Sequence, residues 1–312
     1  MPRVLISTSS FAAVCRDPLD ELEAAGFDCL LNPHGRVLTT EETRELLNDM
    51  DGLIAGTETL SREVLAGAQR LKVISRMGSG TENIDLEAAR ELGIDVMTTP
   101  APHASAVAEL ALGGIIATLR HLGAADRDLR NGIWRKPMGR LLSGKTVGIV
   151  GTGRVGRALV ELIAPFRCRL LAVDTTPDLE WAQSVGVEYR ELDRILEAAD
   201  IVSLHVPLSP ATRQLLDRRR LGLLKHGAVL VNCARGGLVD EAALAENLHN
   251  GQLGGAYLDV FEAEPYSGAL IEAPNTLLSP HLGSYAAEAR LEMELEAARN
   301  LVQGLSREAG GA

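Results

Sequence analysis

The sequence is poor in aromatic side chains: Phe, Tyr and Trp together make up 3% of it. A buried core must therefore be assembled from Ala, Val, Leu and Ile. Cysteine is scarce as well. Cys15, Cys29, Cys168 and Cys233 stand far apart and form no C-x-x-C pair. That spacing points to neither a zinc site nor a disulfide framework, and the thiols are expected to be free, as in a reducing cytoplasm, with no bound metal. Positive charge is in deficit, with 31 Lys and Arg against 42 Asp and Glu, a net charge of −11 and a pI near 5.2. Non-specific nucleic-acid binding needs clustered Lys and Arg, so that class is disfavoured, although a local basic pocket for a small anion remains open. There is no run of 18 apolar residues, so no transmembrane helix is expected. Ser7-Thr8-Ser9-Ser10 interrupts any apolar signal-peptide core, and Val4-Leu5-Ile6 fits a buried first strand better.

What is present is a chain of 312 residues, 46% hydrophobic and 23% charged, enough for two soluble globular domains. Short apolar runs alternate with helical stretches throughout. Val4–Ile6, Leu53–Ala55, Leu71–Ile74 and Ile94–Met97 are expected strands, with helices over 17–25, 61–67 and 85–92 between them. One long, well-buried helix is expected from His103 to Leu122, behind Pro100 and Pro102, and an irregular segment from Asn131 to Arg140. A second series of expected strands runs Thr146–Val150, Leu170–Val173, Ile201–Leu204, Ala228–Val231, Ala256–Leu258 and Thr276–Leu278, the last at a sheet edge. A final helix is expected from Tyr285 to about Gly304. Strand and helix alternating at this spacing predict parallel β-α-β units.

Gly151-Thr152-Gly153-Arg154-Val155-Gly156 follows a strand and opens a helix, the context a dinucleotide loop requires. Gly151 permits the tight turn, Gly153 lets a pyrophosphate approach the backbone, and Gly156 lets the helix pack on the strand. The helix N-terminus adds unpaired N–H groups and a positive dipole end. Asp174 ends the next strand, 18 residues after Gly156. A carboxylate there accepts from the ribose hydroxyls and repels a 2′-phosphate. Thr175, Thr176 and Pro177 supply no cation to hold one, which favours NAD over NADP.

Three residues in loops after late strands carry hydride-transfer chemistry by type. Arg235 can grip a substrate carboxylate in a fork and polarise a carbonyl. His281 can give or take the proton on the reacting oxygen. Glu264 can orient and support the imidazolium. Singly, each has an ordinary structural reading: a surface ion pair, a turn acid, a loop cap. Their position after successive strands is what unites them, because strand carboxyl ends face the ligand crevice of a doubly wound sheet. His34, His103, His121, His226 and His249 lack such neighbours. His205, before Pro207, is expected to line the cofactor site without doing chemistry.

In this order the motifs resemble the D-2-hydroxyacid dehydrogenase family, most nearly its D-3-phosphoglycerate dehydrogenase branch, over nearly the whole chain. The segments that carry the resemblance are 76–85, 107–109, 144–156, 205–208, 232–240 and 258–265, together with His281-Leu282-Gly283. The resemblance implies two flavodoxin- or Rossmann-like doubly wound α/β domains. A discontinuous substrate domain is implied at 1–101 and 281–312, with an inserted NAD-binding domain at 102–280. It places the catalytic Arg, Glu and His on Arg235, Glu264 and His281. It assigns cofactor contacts to Arg154, Val155, Asp174, Val206, Pro207, Thr212, Cys233, Ala234, Asp259 and Gly283 besides the glycines. Ser79 and Gly80 would hold the substrate carboxylate. Arg76 and Arg135 would hold a substrate phosphate, Arg135 from a partner subunit of a homodimer joined through the NAD-binding domains.

Two departures bear on the substrate. A basic position found in some phosphoglycerate enzymes falls on Gly56, and the chain is expected to lack a C-terminal serine-sensing domain. The expected activity is NAD-dependent interconversion of a D-2-hydroxy acid and its 2-keto acid, with a phosphoglycerate-like, phosphorylated or phosphonate-bearing substrate. Glyoxylate or hydroxypyruvate reduction is the alternative within the class. A corepressor-like protein that senses NADH is the alternative outside it.

Overall fold

The computed structural model describes residues 1–99 and 103–310. These form two compact units, Met1–His103 with Tyr285–Ala312 (unit 1) and Ala104–Ser284 (unit 2). The expected domain join at 101/102, with Pro100 and Pro102, lies outside the described residues, as does the end of the Gly-Ala tail.

In unit 1, β1 (Arg3–Ile6), β2 (Asp28–Leu31), β3 (Gly52–Ala55), β4 (Val73–Arg76) and β5 (Asp95–Thr98) make a parallel sheet of order β2-β1-β3-β4-β5. This is the flavodoxin-like order. Successive residues alternate between its faces. Leu5, Leu53 and Ile74 pack in one core, and Val4, Ile6, Ile54 and Val73 in another. The last helix, Ala287–Gly310, lies against β3, β4 and the helix Asp17–Ala24. It approaches closely at Gly304, where a Cβ would stand 2.8 Å from the Val73 side chain.

In unit 2, β6 (Thr146–Val150), β7 (Arg169–Val173), β8 (Val187–Tyr189), β9 (Ile201–Leu204), β10 (Ala228–Asn232), β11 (Leu253–Leu258) and β12 (Thr276–Leu278) form a second parallel sheet, of order β12-β11-β10-β9-β6-β7-β8. The order reverses between β6 and β9, which is where a doubly wound sheet takes its ligand. Val147, Ile149, Val229 and Val231 face one core, and Val150, Val202, Leu204 and Leu230 face the other.

The single helix expected from His103 to Leu122 is corrected. The chain is helical over His103–Leu119, turns at His121 (φ +54°), and is helical again over Leu122–Arg130, at 64° to the first piece. His121 Nδ1 is pinned 2.9 Å from Asn275 Oδ1, which holds the bend. Among the described residues no single helix is long and apolar enough to cross a membrane; this bent pair passes by length and composition, but Val107, Ala108, Ala111, Ile115 and Leu119 are buried in the core of unit 2. The helix Thr40–Leu47 and the edge strands β2 and β8 are additions to the expected elements.

Candidate active site

The glycine loop is built from two tight contacts and one open one. Gly151 has φ +97°, and a Cβ there would meet the His205 carbonyl oxygen at 2.6 Å. At Gly156 a Cβ would stand 2.1 Å from the Gly151 carbonyl oxygen, while at Gly153 it would meet nothing within 4 Å. The outer glycines are thus required by the protein's own packing. The middle one borders open space at the N-terminus of the helix Arg154–Ile163, where a pyrophosphate fits.

Asp174 is bound to this loop. Its Oδ2 accepts from the Thr152 N–H (2.7 Å) and hydroxyl (3.0 Å), and its Oδ1 from the Thr176 N–H (2.9 Å). Burial pushes this carboxyl up, but the donated hydrogen bonds outweigh it and hold Asp174 below its usual range. A carboxylate offers about four acceptor sites, so capacity for a ribose hydroxyl remains.

After β9, His205 is partly buried with Nε2 2.8 Å from the Ser203 hydroxyl, and desolvation pushes its pKa down to about 4. It is a neutral wall of the loop rather than an acid. Val206 leans toward Gly151. The Thr212 hydroxyl donates to the Pro207 carbonyl at 2.7 Å, so it closes the turn that presents Val206 and Pro207. After β10, Asn232 shapes the next loop, accepting from the Ala234 N–H (3.0 Å) and donating to the Arg235 carbonyl (2.8 Å). Cys233 is buried, and that burial pushes its thiol well above the usual range. Arg235 is half-buried, with Nη1 donating to the Ala234 carbonyl at 2.7 Å.

The loops after β10 and β11 touch at Gly236, where a Cβ would come within 1.9 Å of the Phe261 backbone. Asp259, fully buried at the end of β11, ties the loop after β12 to this group. Its Oδ1 accepts from the Ser279 hydroxyl (2.5 Å) and the Leu282 N–H (2.7 Å), its Oδ2 from the Gly283 N–H (2.8 Å), and its carbonyl from the His281 N–H (2.8 Å). Burial raises the Asp259 carboxyl despite these donors. Held this way, His281 adopts φ +58°, uncommon for a residue with a Cβ. Its Nδ1 lies 2.9 Å from Glu264 Oε2, and Glu264 Oε1 accepts from the Phe261 N–H at 3.0 Å. Burial pushes the Glu264 carboxyl up, but the His281 contact and the charge of Arg235 bring it below its ordinary value. The carboxylate therefore orients the ring through Nδ1 and leaves Nε2 for chemistry.

Sequence reasoning missed Ser279 and Tyr257, whose hydroxyls stand 2.8 Å apart and extend the Asp259 network. No sequence signal marks them beyond their adjacency to Pro280 and Asp259. Among the other histidines, His34 lies 3.4 Å from Glu42, a carboxylate already held in a fork by Arg36. In unit 1, Arg76 ends β4, and Ser79 and Gly80 lie in the loop that follows, which is fastened to Thr99 through Gly78. Arg76 turns one Nη onto the Met77 carbonyl. Arg135, in the irregular segment, forms an exposed ion pair with Asp128 at 2.6 Å.

A family model described as the NAD-binding domain of D-isomer-specific 2-hydroxyacid dehydrogenases matches residues 112–283. The chain is 40% identical to D-3-phosphoglycerate dehydrogenase of Methanocaldococcus jannaschii over 81% of its own length, but it spans only about half (49%) of that relative. It is 35% identical to hydroxypyruvate reductase of Thermotoga maritima, covering 94% of this chain and 97% of that one. The crystal structure of the TT0316 protein from Thermus thermophilus superposes with a TM-score of 0.90 at 36% identity, covering 98% of this chain and 97% of that one.

Proposed function

The chain belongs to the D-isomer-specific 2-hydroxyacid dehydrogenase family, and on that premise we propose that it interconverts a D-2-hydroxy acid and its 2-keto acid. The observation that carries the proposal is the His281–Glu264 pair, set beside the Arg235 loop at the carboxyl edge of a dinucleotide-binding sheet. The Gly151–Gly156 loop and Asp174 would hold NAD, which when bound would supply or accept the hydride. In oxidation His281 Nε2 takes the proton of the substrate hydroxyl, and the new charge is met by Glu264 through Nδ1. In reduction the same nitrogen returns the proton to the carbonyl oxygen. Arg235 holds the substrate carboxylate and polarises the reacting oxygen.

The test is His281→Asn. Turnover should fall by about 10²–10⁴-fold, with NADH affinity, read by fluorescence titration, within a few-fold of wild type. Undiminished turnover would overturn the assignment.

Self-association is part of the reading. Leu122, Leu129, Trp134, Met138 and Leu141 expose apolar side chains along one stretch of unit 2, Met138 at 90% exposure. A second copy of this chain is the partner that the family resemblance implies for it.

A further inference from the structure

A chain of hydroxyl groups with a fixed direction runs into Asp174 from the edge of the unit 2 sheet. Tyr189 ends β8 beside Ala172 of β7, two residues short of Asp174. Its ring packs against the core of unit 2, and its hydroxyl reaches the glycine loop. That oxygen accepts from the Asp178 N–H at 3.3 Å, since a backbone N–H can only donate. It lies 2.8 Å from the Thr152 hydroxyl, which donates its one proton to Asp174 Oδ2 at 3.0 Å. The proton between the two hydroxyls therefore belongs to Tyr189. The chain runs from the Asp178 N–H through Tyr189 and Thr152 to the carboxylate. Thr152 is held on its other sides as well. It is 4% exposed, its N–H donates to Asp174 Oδ2 at 2.7 Å, and its carbonyl accepts from Arg157 Nε at 2.9 Å. Asp174 Oδ2 thus accepts twice from one residue, and the acceptor capacity left for a ligand lies on Oδ1.

We propose that Tyr189 and Thr152 are positioning residues for the coenzyme: their hydroxyls fix Asp174 to hold the adenosine ribose 2′-hydroxyl of NAD, and selection against a 2′-phosphate depends on this relay as well as on the carboxylate. An untethered aspartate loses side-chain freedom when it meets a ligand, whereas this one has already lost it on folding. A hydrogen bond from a hydroxyl to such a carboxylate is charge-assisted and strengthens binding by about tenfold or more. NADPH has no 2′-hydroxyl to donate, so the relay does nothing for it. The inference goes beyond the hydride-transfer reading, because it concerns coenzyme binding and holds for whichever acid the protein turns over.

The experiment is calorimetric titration of the full chain with NADH, with its 2′-deoxyadenosine analogue and with NADPH. Wild type should bind the deoxy analogue about tenfold more weakly than NADH, and NADPH more weakly still. Tyr189→Phe removes only a hydroxyl, and Thr152→Val keeps the branched shape of the side chain. Each should weaken NADH binding about three- to tenfold and leave the deoxy analogue within about twofold of its wild-type value. The NADH/NADPH affinity ratio should narrow by the same factor as NADH binding weakens. An equal loss for NADH and the deoxy analogue assigns the hydroxyls to general support of the loop and overturns the proposal, as does unchanged NADH affinity in either folded variant. Equal affinity of wild type for NADH and the deoxy analogue, or for NADH and NADPH, overturns it with no variant, so a poorly folding variant does not shelter it. No turnover is measured, so each of these failures leaves the dehydrogenase reading intact. A wild type that binds none of the three ligands loses its coenzyme assignment together with this proposal.

Discussion

His205 gives the most quantitative test of the fold around the cofactor loop. It is partly buried beside Gly151, with one ring nitrogen at the Ser203 hydroxyl and a buried Nδ1 without a hydrogen-bond partner. Burial lowers its pKa from 6.5 to about 4. The sign follows from linkage. In the unfolded chain the imidazole takes a proton as pH falls through 6.5, whereas the native protein refuses it until about pH 4. Stability is therefore full above pH 6.5 and drains away as pH falls from there toward 4. At 1.36 kcal/mol per pKa unit the whole effect is about 3 kcal/mol, of which about 2 kcal/mol is lost by pH 5. With a urea m-value of about 2 kcal/mol/M for a unit of this size, the midpoint should drop by about 1 M between pH 7.5 and pH 5. Trp134 and Trp181 both belong to unit 2, as His205 does, so intrinsic fluorescence reports the relevant transition. Carboxylates and other histidines titrate too, so the comparison is with His205→Gln, which cannot take the proton. The midpoint of this variant should move about 1 M less over the same range. Parallel pH profiles for the two proteins would refute the claim that a buried neutral imidazole backs the loop.

The glycine loop makes opposite predictions for neighbouring positions. Gly156→Ala places a methyl against the Gly151 carbonyl and should destabilise unit 2 by about 1–3 kcal/mol in urea unfolding. Gly153→Ala should leave the unfolding midpoint nearly unchanged and weaken NADH binding about tenfold or more by calorimetry, because its methyl enters the space left for the pyrophosphate. Trp134→Glu puts a charge in the exposed apolar stretch and should shift sedimentation toward the monomer at micromolar protein; identical sedimentation of variant and wild type would remove that surface as the contact.

The sequence carried the strands and the chemistry in different ways. The central strands are legible because burial on both faces makes them continuous apolar runs, as in Ala228–Asn232 and Thr146–Val150. Two of the edge strands are not, because Asp28–Leu31 and Val187–Tyr189 are short and partly exposed, with acids among the apolar residues. Thr40–Leu47 had a signal that periodicity alone passes over, the capping box from Thr39 to Glu42. The break at His121 had none, because an apolar run cannot encode the pull of Asn275, 154 residues later. Likewise Arg235, Glu264 and His281 are recognisable by type and by place after strands. The force that gathers their loops, Asp259 with its ring of donors, exists only once β10, β11 and β12 lie side by side.

On the proposed reading the chemistry falls within one stretch of the chain. Residues 112–283, matched by the family model, contain Arg235, Glu264, His281 and the whole glycine loop. In that reading the stretch supplies a proton, a place for the hydride carrier and a grip on a 2-keto acid. Identity does not separate the two relatives: the chain is 40% identical to a phosphoglycerate dehydrogenase and 35% to a hydroxypyruvate reductase. What separates their substrates is one dianionic group, and the physical response to a dianion is local charge. Arg76, which the resemblance associates with a substrate phosphate, lies outside the matched stretch, and so does Glu58, whose carboxyl burial pushes up. Overall likeness to either relative therefore does not choose between their substrates.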